Sequence, residues 1–277
     1  MIKIEKIIIV FLVISLSACT SAVIKQKDTV VLQTLSFGDM ALSSNNEFLL
    51  KEVVESTILA KQDTVVQPAD ASRTGIPWLI SKVSEGSPKT QTTTYRVTYD
   101  NLGAALSKVA VPDTTTIKAA VPITYMYGSQ PQIGAYFNAG FARYGADCAG
   151  CHVAADGTSG TASGLMVSTT GVRQSNGVWN AGITYNGYYL VASSTSLPMC
   201  TIMEISNHKY SGMGLQPGTP FKVLVIDRGV SGSLLDLFVG SEKNLSIVRL
   251  TGNHQPVAKI IGFAKLTKNS QGQRICN

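Results

Sequence analysis

The sequence predicts a mainly β protein, with a small C-terminal β-barrel preceded by a small α+β domain. Two observations carry the barrel. Short apolar runs separated by turn residues recur at 188–192, 201–205, 221–226, 234–239 and 257–264, a texture of short strands joined by tight turns. Glycine supplies 25 of 277 residues and aromatics 7%, which suits strands and turns better than helices. The α+β domain rests on a third observation. The best amphipathic helical stretch, 47–61, lies in the first half beside candidate strands.

Taken in order, residues 1–18 read as a signal segment. Lys3 and Lys6 precede an apolar run over 7–16 broken only by Ser15. Such a run is shorter than the roughly 20 apolar residues of a membrane span and has the make-up of a secretory signal. Its end, Leu16-Ser17-Ala18-Cys19, resembles the lipobox of bacterial lipoproteins. That resemblance implies lipidation of Cys19 and a protein anchored to the membrane surface by its acyl chains. Thr20 follows in place of Asp. In a Gram-negative envelope this implies the outer membrane, with the chain facing the periplasm. A polar tether covers 19–28.

The α+β domain is expected over 29–135. A strand is read at 30–35. The helix at 47–61 sets Phe48, Leu49, Val53, Ile58 and Leu59 against Lys51, Glu52 and Glu55, with Asn45 or Asn46 as cap. Pro68, Pro77 and Pro88 make 67–90 loop-rich. Strands follow at 92–99 and, despite Pro122, at 117–127. Near Gly134 the texture changes, and the barrel domain is expected over 136–277, with a short helix at 241–248.

Hydrophobic residues make up 44% and charged residues 14%, which excludes disordered, acidic and coiled-coil classes. The net charge of +6 is spread along the chain. Nucleic acid is therefore not expected as a partner, and an anionic polymer or membrane surface is.

With Cys19 assigned to lipid, Cys148, Cys151, Cys200 and Cys276 remain. An even number in an exported chain suggests two disulfides, with three possible pairings. A metal site and free thiols are the alternatives. A Cys₄ zinc site has two close pairs, and Cys200 and Cys276 do not make one, so no cofactor or metal is expected. Cys148-Ala149-Gly150-Cys151-His152 also has the c-type haem spacing. In that reading His152 ligates iron, and a Met, His208 or His254 completes the site. The Gly- and Ser/Thr-rich segment that follows speaks against a small helical cytochrome.

A further pattern uses more of the chain. Cys148-Ala149-Gly150-Cys151 is followed by Gly160-Thr161-Ala162-Ser163-Gly164, then Leu190-Val191-Ala192 and Leu197-Pro198. Last come Val225-Ile226-Asp227-Arg228-Gly229 and Leu234-Leu235-Asp236-Leu237-Phe238. In this order the segments resemble the double-psi β-barrel of the three-aspartate (3D) domain. That family includes cell-wall lytic enzymes and membrane-bound lytic transglycosylase A. The Asp227-Arg228-Gly229 segment is similar to rare lipoprotein A and the expansins, which share the barrel. The resemblance covers roughly residues 141–266.

It implies that Asp236 is the catalytic acid/base, that Asp227 lies in the same groove, and that Thr161 hydrogen-bonds the catalytic carboxylate. Three positions depart from the pattern. Ser193 stands where the family has its first aspartate, Ser194 where rare lipoprotein A has a histidine, and Cys200 where a glycine follows "P-L".

The chemistry is consistent with one acid. A lytic transglycosylase needs a carboxyl that first protonates the glycosidic oxygen and then takes the proton of the muramic C6 hydroxyl. Such a group needs a raised pKa. Leu235 and Leu237 around Asp236, and Asp227 nearby, supply burial and like-charge repulsion. Pairing of Asp236 with Arg228 is the competing reading.

The expected function is peptidoglycan cleavage by a lipid-anchored envelope protein. The alternatives are a non-catalytic wall-binding lipoprotein, favoured by Ser193, and a c-type cytochrome. Trp179, Tyr185, Tyr188 and Tyr189 are candidate sugar-stacking residues or core. His208 and His254 are read as surface histidines.

Overall fold

The computed structural model describes residues 48–251 and 255–277. The readings that fall on 1–47, Cys19 among them, and on His254 lie outside the described residues. The fold is mainly β, 49% strand against 3% helix, and no described helix is long and apolar enough to cross a membrane. The described chain divides into two compact units. One takes the chain up to Val65 and again over Ser84–Ile123, and the other takes Val66–Val83 and Thr124–Asn277.

In the first unit the expected helix at 47–61 is instead a strand, β1 (Leu49–Ala60). It pairs antiparallel with β2 (Lys89–Tyr99) from Leu49↔Tyr99 to Ala60↔Lys89. The reason is a clash of periods. Val53, Val54, Thr57 and Ile58 are β-branched and lose rotamer freedom in a helix. A partner strand of nearly equal length then satisfies the whole backbone. β3 (Ala105–Ala110) and β4 (Thr116–Lys118) pair with the other edge of β2. The expected strand at 117–127 is two strands, with Ile123–Met126 the second. Pro122 has no N–H to continue a ladder. No described residue of this unit is α-helical, so the α+β expectation is corrected to β for the part described.

The second unit is built on one curled sheet. Its strands are β5 (Tyr136–Asn138), β6 (Gly140–Tyr144), β11 (Thr184–Tyr185), β12 (Tyr188–Ala192), β13 (Thr201–Ser206), β14 (Phe221–Asp227), β15 (Leu234–Phe238) and β16 (Val257–Phe263). Between β6 and β11, strands β7 (Thr158–Gly160), β8 (Met166–Ser168), β9 (Gly171–Arg173) and β10 (Trp179–Ala181) form a separate four-stranded meander. The large sheet runs β5-β16-β13-β14-β12-β15-β6, with β11 on β12. Two of its pairings are parallel, β12 with β14 and β15 with β6.

The strands read from the sequence at 188–192, 201–205, 221–226, 234–239 and 257–264 are therefore all present. Val223, Leu224, Val225 and Ile226 are buried without a break, as a strand covered on both faces requires. They pack with Leu190, Val191, Met203, Leu235, Leu237 and Ile260 in one core.

The short helix expected at 241–248 is a 3₁₀ turn, Glu242–Ile247, opened by Ser241. The cysteines pair as Cys148–Cys151 and Cys200–Cys276. The second bridge ties β13 to the last strand, Arg274–Cys276, which pairs with Leu266–Lys268.

Candidate active site

Strand β12 lies between β14 and β15, and its last residue decides the site. Ala192 is the register partner of Asp227 on one side and of Asp236 on the other. Asp236 in turn faces Ala142 on β6. Register partners share a sheet face. The row therefore reads Asp227, Ala192, Asp236, Ala142: two carboxylates separated and flanked by methyl groups.

The two carboxylates are held differently. Asp227 Oδ1 accepts from the backbone N–H groups of Ala162 and Arg228, both at 2.9 Å. This fixes Asp227 as the acceptor that joins the 160–164 turn to the end of β14. Asp236 Oδ1 is buried with no hydrogen-bond partner. Burial, then the negative charge of Glu242, then that of Asp227, push its pKa up to about 6. A carboxyl in that range exchanges protons near neutral pH.

Arg228 does not pair with Asp236. Its guanidinium straps the loop after β12 instead. Nη1 donates to Ser193 Oγ at 2.8 Å and to Ser194 O at 2.9 Å, and Nη2 donates to Leu197 O at 2.7 Å. Ser193 is buried and held by that strap, its own hydroxyl donating to Ser194 O at 3.1 Å. Ser194 Oγ is buried and unpartnered.

Thr161 does not reach Asp236. Its hydroxyl meets Ser163 Oγ at 2.9 Å and Leu165 O at 3.0 Å. The expected role is corrected: a backbone N–H of the next residue, Ala162, serves a carboxylate, and that carboxylate is Asp227. Thr161 shapes the turn that presents it.

Sequence reasoning missed two residues. Glu242 opens the 3₁₀ turn and is the larger of the two charges acting on Asp236. Its Oε1 accepts from Gly145 N at 3.0 Å, and its own N–H donates to Asp147 Oδ1 at 2.7 Å. The approach is close: a Cβ on Gly145 would lie 2.2 Å from Glu242 N, so glycine is required there. Arg143 holds the far end of the turn through Leu245 O and Val248 O.

The second missed residue is Tyr144. It lies two residues beyond Ala142 on β6, opposite Phe238, and therefore on the face of Asp236. Its ring meets Phe238 edge-on at 5.6 Å. Its hydroxyl is buried and unpartnered. Burial, with the charges of Asp227 and Asp236, pushes its pKa well above the usual tyrosine value. The nearby Asp227 carboxylate also holds that proton in place, without a hydrogen bond of normal geometry.

The remaining candidates sort plainly. Tyr185 is core, its hydroxyl donating to Cys276 O at 3.3 Å. Tyr188 and Tyr189 are half-buried, and Trp179 is exposed on the meander. His208, expected at the surface, is buried: its Nε2 lies 2.7 Å from Thr219 O and its ring packs between Tyr210 and Phe221. The sulfurs of Cys148 and Cys151, which a haem would need for its thioether bonds, are joined to each other. No group of three or more His, Cys, Asp or Glu among the described residues is arranged to hold a metal ion. Comparison with protein-family models, curated proteins and solved structures gives no match to this chain.

Proposed function

We propose that the second unit is a double-psi β-barrel of the three-aspartate type and that it cleaves peptidoglycan glycan strands. Asp236 acts as the acid and then the base. One observation carries the reading: Asp236, beside Ala192 and Ala142 in register, has a buried, unpartnered carboxylate oxygen, and burial, then the charges of Glu242 and Asp227, push its pKa up to about 6. An acid that must both give and take a proton needs that environment.

In the first step protonated Asp236 donates to the glycosidic oxygen and the C1–O bond breaks. In the second, the C6 hydroxyl of the muramic residue gives its proton to the Asp236 carboxylate as its oxygen bonds to C1. Asp236 ends protonated, and the product carries a 1,6-anhydro ring. Asp227, tied to two backbone N–H groups, holds the 160–164 turn to the end of β14. In this reading the protein works in the cell envelope, lipid-anchored through Cys19 of the lipobox-like Leu16-Ser17-Ala18-Cys19, and in a Gram-negative cell it sits at the outer membrane facing the periplasm.

The second reading is a wall-binding lipoprotein without activity. It is favoured by Ser193, whose hydroxyl is tied to Arg228. The deciding experiment is digestion of purified peptidoglycan by the lipid-free protein, with mass spectrometry of the soluble fragments. Fragments with 1,6-anhydro ends support transglycosylation. Reducing ends point to hydrolysis, with Glu242 as the second carboxylate. Binding without release at any pH from 4 to 8 supports the inactive reading.

A further inference from the structure

Among the described residues three buried side-chain polar atoms lack a hydrogen-bond partner: Tyr144 Oη, Ser194 Oγ and Asp236 Oδ1. A buried polar group without a partner is costly and calls for an explanation. These three do not scatter. Asp236 is the register partner of Ala192, Ser194 lies two residues beyond that alanine, and Tyr144 is two residues beyond Asp236's other partner, Ala142. Tyr144 and Ser194 are only 7% and 8% exposed, so each is more than nine-tenths buried.

We propose that Tyr144 is a substrate-contacting residue of this site. Its hydroxyl donates a hydrogen bond to the oxygen of a sugar hydroxyl, and that hydroxyl's own proton faces Asp236 Oδ1. This rests on the glycan-cleaving reading above and deepens it.

The chemistry of the two orphan atoms selects the ligand group. Tyr144 is a donor at every physiological pH, and Asp236 once ionised is an acceptor only. A hydroxyl both accepts and donates, so it answers both at once. A phosphate or carboxylate would meet the negative charges of Asp227, Asp236 and Glu242. An ammonium could not accept from Tyr144. A polyhydroxylated ligand is what remains, and in the second step of the reaction the hydroxyl in this position is the muramic C6 hydroxyl. Tyr144 keeps its proton throughout. Its part is to hold that oxygen while the hydroxyl proton passes to Asp236.

Packing makes the test clean. Tyr144→Phe keeps the ring against Phe238 and removes only a hydroxyl that makes no hydrogen bond of normal geometry in the free protein. A structural role would show as lost stability, and a substrate role as lost turnover. On a soluble tetrasaccharide of alternating N-acetylglucosamine and N-acetylmuramic acid, Tyr144→Phe is expected to lower kcat/KM by about 10- to 100-fold, the loss of one buried hydrogen bond. Its melting temperature should not fall.

A kcat/KM within twofold of wild type in a folded Tyr144→Phe protein overturns the proposal. Should the variant not fold, the wild-type side chain decides. With tyrosine labelled at Cζ in Asp236→Asn protein, the Tyr144 resonance shifts when the tetrasaccharide is added, or stays unmoved and the proposal fails. Wild-type protein that neither binds nor cleaves the tetrasaccharide defeats the glycan reading itself. Wild-type cleavage with no effect at Tyr144 defeats only this inference.

Discussion

Around Val53 and Val97 in the first unit, every charged group near the apolar patch has somewhere to go. Lys108 meets Glu55 at 2.5 Å and lies over the Tyr95 ring at 4.1 Å. Arg96 meets Glu52 at 3.3 Å, and Lys51 lies over Tyr99. All of these side chains remain partly exposed. Around Leu190 and Leu237 in the second unit the apolar side chains are fully buried, yet a carboxylate oxygen and a tyrosine hydroxyl stand among them unanswered. A thin, half-wet sheet satisfies its polar groups at almost no cost, because water is near. A dry core leaves polar groups unpaired only where the fold specifies them. On the reading proposed above, the difference separates a scaffold surface from a place arranged for a ligand.

The largest expected effect is at Asp236. Asp236→Asn should lower fragment release by about 10³- to 10⁴-fold, the upper range for a general acid serving two steps, while wall binding persists. The same variant should melt higher than wild type above pH 6. The Asp236 carboxyl titrates higher in the fold, about 6, than its ordinary value of 3.8. It therefore favours the folded state at low pH and loses that contribution as pH rises through about 6. The gain in melting temperature should shrink toward pH 4. A variant that is inactive but less stable at pH 7 would place Asp236 among the structural groups and erase the contrast between the units.

Next in size are the cores and the bridges. Leu224→Ala, at 1% exposure, should cost about 2–5 kcal/mol in urea unfolding. Val53→Ala should cost about 1–2 kcal/mol, two methyl groups at about 0.8 kcal/mol each. Equal costs would mean that the first unit is as dry as the second. Replacing Cys200 and Cys276 by serine should cost about 2–5 kcal/mol. Replacing Cys148 and Cys151 should cost less, since their ring spans a sequence separation of 3 against 76. Denaturation under non-reducing conditions reads both.

The smallest effect is a shift. Glu242→Gln removes the larger of the negative influences on Asp236, lowers its pKa and moves the alkaline limb of the pH–rate profile downward. Asp227→Asn should move it the same way by less. An upward shift in either would mean that these charges do not act on the acid.

The sequence carried the strands of the second unit because each is an apolar run bounded by turn residues, and local pattern suffices for that. It did not carry β1. Glu52 and Glu55 between apolar residues imitate a helix, and only Lys89–Tyr99, distant in sequence, makes a strand of it. Asp227 and Asp236 were legible from motif order. Glu242 and Tyr144 were not. Tyr144 reaches the site through a parallel pairing of β6 with β15, and Glu242 through a backbone N–H of Gly145 on the other side of the sheet's long connection. Neither contact leaves a local trace. The short helix read at 241–248 says nothing of what Glu242 faces.

The parallel joining of β6 to β15 has a consequence for the order in which the molecule comes into being. Tyr144 emerges well before its partner Phe238 on β15, Ala192 before Asp227 and Asp236, and Glu242 after them all. Non-local strands of this kind assemble slowly. A chain stopped anywhere before Asp236 lacks the completed row. The row exists only once β15 has paired with β12 and β6. On the reading proposed above, activity therefore waits on the C-terminal strands.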